Sequence, residues 1–202
     1  LVELPQLLLR YYTYTLKWLQ EIKKHNMHKK DVIIHKIFTS PAHNYFTNKK
    51  YHVGNTPTIL HDNIELFERK GLQNDRFEFS KYPITLFSLE VAEEVCSSLN
   101  IPLNLELFRR NIIISGVHLN SLIGEKFKIG DIEFEGMAHC SPCTWMNAVM
   151  GKGAYALMKG RGGLRVKVLS GGVLTTGEAL LESKIILQKD PLEANKIVKI
   201  PT

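Results

Sequence analysis

Apolar positions along this chain follow two rhythms, one of roughly 3.6 residues near the start and one of two residues through most of the remainder. Leu8, Tyr12, Leu16, Leu19 and Ile22 fall on one helical face. Pro5 suits a first helical turn, and Lys23-Lys24-His25 suits a last one. The pattern predicts an amphipathic helix within an extension over residues 1–30. From Asp31 the rhythm shortens. DVIIHKIFTS (31–40) is rich in β-branched residues and reads as a strand. The polar stretch 40–58, with Pro, Gly and Asn, reads as a long irregular loop, and such loops in compact domains are usually functional. NIELFERKG (63–71) predicts a strand ending at a glycine turn.

In TLFSLEVAEEVCSSLN (85–100), Phe87, Val91, Val95 and Leu99 are spaced as on a helix, which predicts the main helix of the body. Cys96 sits in this helix as a small buried hydrophobe. NIIISG (111–116) reads as a buried strand, and FKIGDIEFEG (127–136) as a hairpin about Gly130-Asp131. LRVKVLSGGVLTTG (164–177) reads as two strands about Ser170-Gly171-Gly172, and one more is expected at Lys184–Gln188 within a tail of residues 183–202. Short strands joined by glycine turns, with one main helix, describe a mainly β (α+β) domain over residues 31–182, barrel-like and carrying helical additions.

Composition narrows the class. Apolar residues at 44% and charged residues at 23% fit an ordinary globular domain. The longest apolar run near the start, residues 7–19, is broken by Arg10 and Lys17, so no membrane span is expected. Three cysteines are too few for a secreted disulfide framework, which points to the cytoplasm. The net charge of +6 favours an anionic partner. Aromatic residues do not interleave with the basic ones as a single-strand stacking platform requires, so nucleic acid is not the expected partner.

Candidate chemistry concentrates in HCSPCTWMN (139–147), which holds Cys140 and Cys143. Four readings compete: half of a zinc site, a dithiol redox centre, a sulfur-handling or metal-ligating thiolate, and two inert packing residues. A zinc site would need two distant ligands, drawn from His139, His43 and His118. A thioredoxin-like dithiol would open a continuous helix, whereas this segment is soon broken by Gly151 and Gly153. Inert packing fits poorly with a polar turn containing His139, Ser141 and Pro142. Downstream, Lys152, Lys159, Arg161, Arg165 and Lys167 alternate with glycines, including Gly162 and Gly163. Cations favour a thiolate, and glycines let backbone N–H groups approach an anion. The glycine pattern matches neither the P-loop nor the dinucleotide fingerprint.

The segments C-S-P-C-T-W-M-N (140–147) and G-K-G-A-Y-A-L-M-K-G-R-G-G-L-R-V-K-V-L-S-G-G (151–172) together resemble the MOSC domain, a family that includes the C-terminal domain of molybdenum cofactor sulfurases. S-P-A-H-N-Y-F (40–46), G-L-Q-N-D-R-F (71–77) and R-R-N-I-I-I-S-G-V-H-L-N-S-L-I-G (109–124) extend the resemblance over about residues 35 to 178. Ala42 and Asn74 stand where the family pattern has glycine, and Gly177-Glu178 replaces its closing Gly-Asp. The resemblance implies a closed β-barrel and molybdenum cofactor or sulfur metabolism. Cys143 stands at the position of the essential cysteine, which carries sulfur as a persulfide or ligates molybdenum; Cys140 matches a more variable partner.

Arg76, Arg110 and Arg161, with Asn111, Lys159, Gly162 and Gly163, are the candidates for holding the phosphate of the pterin. His43 and Asn44 are candidates for orienting substrate. The implied partners are a cysteine desulfurase-type sulfur donor, which would hold the pyridoxal phosphate, and the molybdenum cofactor or a molybdoenzyme. Some relatives instead use bound cofactor to reduce N-hydroxylated compounds. The rival of another class is a nucleic-acid or partner-binding module with a structural cysteine pair.

Overall fold

The computed structural model describes residues 27–44 and 54–187. The expected N-terminal helix, the middle of the 40–58 loop and residues 188–202 lie outside them.

Ten strands build the body: β1 (His28–Thr39), β2 (Ile59–His61), β3 (Asn63–Leu66), β4 (Ile84–Ser88), β5 (Ile112–Ser115), β6 (Lys126–Ile129), β7 (Ile132–His139), β8 (Leu164–Ser170), β9 (Gly172–Thr175) and β10 (Gly177–Ser183). Around the sheet the order runs β10-β6-β7-β8-β4-β5-β1, and β1 pairs again with β10. Seven strands therefore close into a barrel, which leaves no open edge along the ring. β1 holds the closure together. Its first part pairs with β10 from His28↔Ser183 to Ile34↔Gly177, its middle pairs with β5, and its end pairs with β2. A register shift at His35 lets the strand bend between these partners, and His35 Nε2 lies 2.7 Å from Ser115 Oγ.

The interior is packed with Ile34, Ile37, Leu86, Ile112, Phe134, Val166 and Leu181. A second apolar cluster lies outside the ring, under three helices: α1 (Leu89–Ser98), α2 (Trp145–Met150) and α3 (Ala154–Met158). It joins Phe87 and Ile113 from the strands to Val91, Val95 and Cys96 of α1, with Trp145, Met150 and Met158. β4 and β5 are thus covered on both faces, and they form the single parallel pairing among the described strands. α1 is the crossover that a parallel pair needs.

Two sequence expectations change. Residues 85–88 belong to β4 and not to the helix, because a strand buried on both faces presents an unbroken apolar run that mimics helical spacing. Ser88 ends that run by capping α1, its Oγ accepting from Val91 N at 3.1 Å. The two strands expected about Ser170-Gly171-Gly172 are present as β8 and β9, and β9 pairs with β3 as a separate two-stranded sheet. The last described strand is Gly177–Ser183; residues 184–187, expected as part of a strand, are bend and coil.

Candidate functional site

Cys140 follows the last residue of β7, and Cys143 stands at the entry to α2, with its carbonyl accepting from Met146 N at 3.0 Å. Cys140 is 3% exposed, Cys143 is exposed, and both thiols are free. The turn between them is gripped by the glycines that precede β8. Cys140 N donates to Gly163 O at 2.7 Å, and a Cβ on Gly162 would sit 2.3 Å from Cys140 O. At Gly163 a φ of +111° and Leu86 O, 2.4 Å from where a Cβ would go, both exclude a side chain. The two glycines therefore serve close backbone packing. Gly162 N is spent on His139 Nε2 at 3.1 Å, so it is not a free anion donor.

That bond fixes the histidine. Nε2 accepts from Gly162, so the proton sits on Nδ1, which faces Ser141 Oγ at 3.3 Å. Burial, then the positive charges of Arg110 and Arg165, hold its pKa below the ordinary value.

Both cysteines line one cleft of about 240 Å³, and so do four arginines: Arg76, Arg109, Arg110 and Arg165. Among the described residues no carboxylate lines it. The guanidinium groups arrive from three directions. Arg76 comes from the 71–83 loop, Arg109 and Arg110 from the turn before β5, and Arg165 from β8. Arg110 is braced by Nε to Gly162 O (2.8 Å) and one terminal nitrogen to Phe108 O (2.9 Å). Arg109 has left-handed backbone (φ 55°) and binds Ser40 Oγ (2.7 Å), Ala42 O (2.8 Å) and Thr58 Oγ1 (3.2 Å). Burial, and then the neighbouring Arg76, lower its pKa to about 10. Arg76, its side chain 8% exposed, binds Arg109 O at 3.0 Å and touches Asp75 at 3.4 Å. Its Nε has no partner, and neither does Nε1 of Trp145, another cleft residue. Buried donors in native proteins are rarely left unpaired. Two here sit in residues that line one cationic cleft.

His43 and Asn44 also line the cleft. His43 meets Phe77 edge-on with centroids 4.8 Å apart, and burial, Arg76 and Arg109 depress its pKa. Asn44 accepts from Thr56 N at 2.9 Å and so ties the two described ends of the loop. Asn74 has φ 63°, left-handed backbone that asparagine tolerates better than most residues, which explains how it replaces a glycine there.

Three other candidates lie apart from the thiols. Asn111 is buried beneath the cleft with its amide fully used: Oδ1 accepts from Thr85 N and Oγ1, while Nδ2 donates to Phe38 O and Asp75. Arg161 forms a two-pronged pair with Glu94 of α1, and Nε donates to Leu157 O. Lys159 is exposed at the end of α3. Neither cation lines the cleft. Sequence reading overlooked Arg109 and Arg165 as site residues. The Arg-Arg pair at 109–110 and the position of Arg165 on β8 were the available signals. Among the described residues no group of three or more His, Cys, Asp or Glu is placed to hold a metal ion, and no helix is long and apolar enough to cross a membrane.

A family model for the MOSC domain matches residues 48–181. No curated protein sequence matches the chain. Among solved structures, the YuaD protein from Bacillus subtilis is similar with a TM-score of 0.62 at 16% identity, covering 78% of this chain and 98% of its own. YiiM from Escherichia coli gives a TM-score of 0.54 at 16% identity, covering 83% and 76%, and YiiM from Geobacillus stearothermophilus gives 0.53 at 14%, covering 75% and 74%. At such identities these structures share the fold.

Proposed function

The chain belongs to the MOSC domain family, and from that premise we propose that the cleft binds the molybdenum cofactor through its phosphate, with Cys143 as the working thiolate. The observation that carries this reading is an exposed thiol and four arginines on one cleft with no carboxylate among its described lining residues. The residues fit such a group. Guanidinium groups suit phosphate, the partnerless Nε of Arg76 and Nε1 of Trp145 are donors in want of acceptors, and a thiolate is a soft ligand. When bound, the cofactor would supply a molybdenum centre able to take a sulfur or thiolate ligand.

The chain's own residues then divide the work. Arg110 and Arg165 hold negative charge against the cleft wall. Arg109 fixes the Ser40–Ala42 segment that carries His43 and Asn44 into the cleft. Cys143 accepts sulfur by attacking the terminal sulfur of a donor persulfide. The donor's S–S bond breaks, the donor departs as a thiolate, and Cys143 becomes the persulfide.

The test is elemental and pterin analysis of protein purified from a host that makes the cofactor, beside persulfide loading by a cysteine desulfurase. Cofactor retained by wild type and lost on Arg110→Ala, with sulfur loading lost on Cys143→Ser, supports the proposal. Reduction of an N-hydroxylated compound by the cofactor-loaded protein would assign the reductase role. Absence of both cofactor and loading would refute the proposal.

A further inference from the structure

Cys140 is the group in the cleft that the reading above leaves without a task. It is buried, its backbone is clamped by Gly162 and Gly163, and it lines the same cleft as Cys143. The guanidinium of Arg76, itself buried, lines that cleft with it. The chain's third thiol cannot substitute, because Cys96 is packed in the apolar cluster beneath α1. The two cleft cysteines are separated by Ser141 and Pro142 alone, a spacing that permits an intrachain disulfide.

We infer that Cys140 is a resolving thiol that discharges sulfur from the Cys143 persulfide as hydrosulfide. This rests on Cys143 carrying a persulfide and adds a release step that needs no external thiol. The thiolate of Cys140, its proton given to solvent, attacks Sγ of Cys143. A Cys140–Cys143 disulfide forms, the bond from Sγ to the terminal sulfur breaks, and that sulfur leaves as HS⁻. The transferred sulfur gains two electrons and the two cysteines lose them. The leaving anion is formed among four guanidinium groups, where preorganised positive charge lowers the cost of its appearance. A small-molecule dithiol then returns the pair to its starting state by two exchanges.

This assigns the cleft a product: sulfide generated in place, beside whatever anion the arginines hold. It also gives the two thiols different duties that match their placement. Cys143, exposed, meets the donor; Cys140, buried, meets only Cys143.

The experiment uses the full chain, reduced, freed of small thiols and loaded once by a cysteine desulfurase with cysteine, the desulfurase then being removed. Hydrosulfide release is followed without added thiol, and intact mass reports persulfide or disulfide. Wild type is expected to release about one hydrosulfide per chain as the intrachain disulfide appears, and Cys140→Ser and Cys140→Ala to keep the persulfide with release slowed at least about tenfold. Dithiothreitol should release sulfur from both. Loading of these variants shows that they are folded and that Cys143 works. A wild-type persulfide that persists with neither hydrosulfide nor disulfide overturns this inference while leaving the carrier reading standing. Release by the Cys140 variants at the wild-type rate does the same. Failure of wild-type Cys143 to load overturns the carrier reading and this inference with it.

Discussion

Exposure separates the three thiols. Cys143 is open to solvent, Cys140 is buried at the cleft, and Cys96 lies inside an apolar cluster where burial raises its pKa. Alkylation followed by peptide mass analysis should therefore label Cys143 first, Cys140 later and Cys96 only on unfolding; early labelling of Cys96 would contradict the packing described. Gly162 offers a second test. An alanine Cβ there would sit 2.3 Å from Cys140 O and 2.9 Å from Pro142 Cδ, so the cysteine turn must move. Gly162→Ala should cost roughly 1–3 kcal/mol in chemical denaturation and slow Cys143 alkylation, as expected of an overpacked site. The cysteines were legible because two thiols in a polar turn are conspicuous in any chain. The cations were only partly legible. Arg161 directly precedes the glycines that clamp the cysteine turn but turns to Glu94, while Arg165 just after them and Arg109 from a distant segment reach the cleft. Linear proximity to a motif does not reveal which way a side chain leaves the backbone. Asn111 shows the same limit: an amide that looks available in sequence is consumed by Thr85, Phe38 and Asp75.

Elements with clear alternation were readable, and so was β5, although it is buried on two faces; β4, buried likewise, was not. β6 and β7 form the hairpin expected about Gly130-Asp131, with Ile129↔Ile132 as its last pair. β4 hid inside a helical pattern, and β10 lay in a stretch, GEALLES, whose residues are good helix formers yet pair on both sides. Tertiary pairing overrides local preference there. The junction between β4 and α1 rests on Ser88, whose Oγ accepts from Val91 N and donates to Glu90. Ser88→Ala should cost about 1 kcal/mol, read as a shift in the denaturation midpoint with unchanged slope. Ser88→Thr should recover most of it, since its hydroxyl can both accept from Val91 N and donate to Glu90. No loss in the alanine variant would remove the cap from the account of why the strand stops where it does.

For the molecule as a whole, pH sets a limit through its buried imidazoles. His43, His118 and His139 are each held below the ordinary imidazole value of about 6.5, first by burial. Below that value the unfolded chain binds protons that the folded chain refuses. Stability contributed by the neutral rings is therefore complete above pH 6.5 and is lost as pH falls through their folded values. Thermal midpoints should drop as pH falls below about 6.5, and His139→Gln, which can still accept from Gly162 N, should flatten part of that slope. A midpoint insensitive to pH over this range would contradict the buried, neutral histidines. The barrel's seam carries a different consequence. β1 and β10 lie at opposite ends of the ring's sequence, so the last strand made completes the pairing of the first. On a ribosome, translating left to right, the β1 edge must wait through nearly the whole synthesis of the domain before its neighbour emerges. During that interval its unpaired backbone is open to other nascent chains, which makes the rate of elongation, as much as the strength of the finished seam, a determinant of how much protein folds.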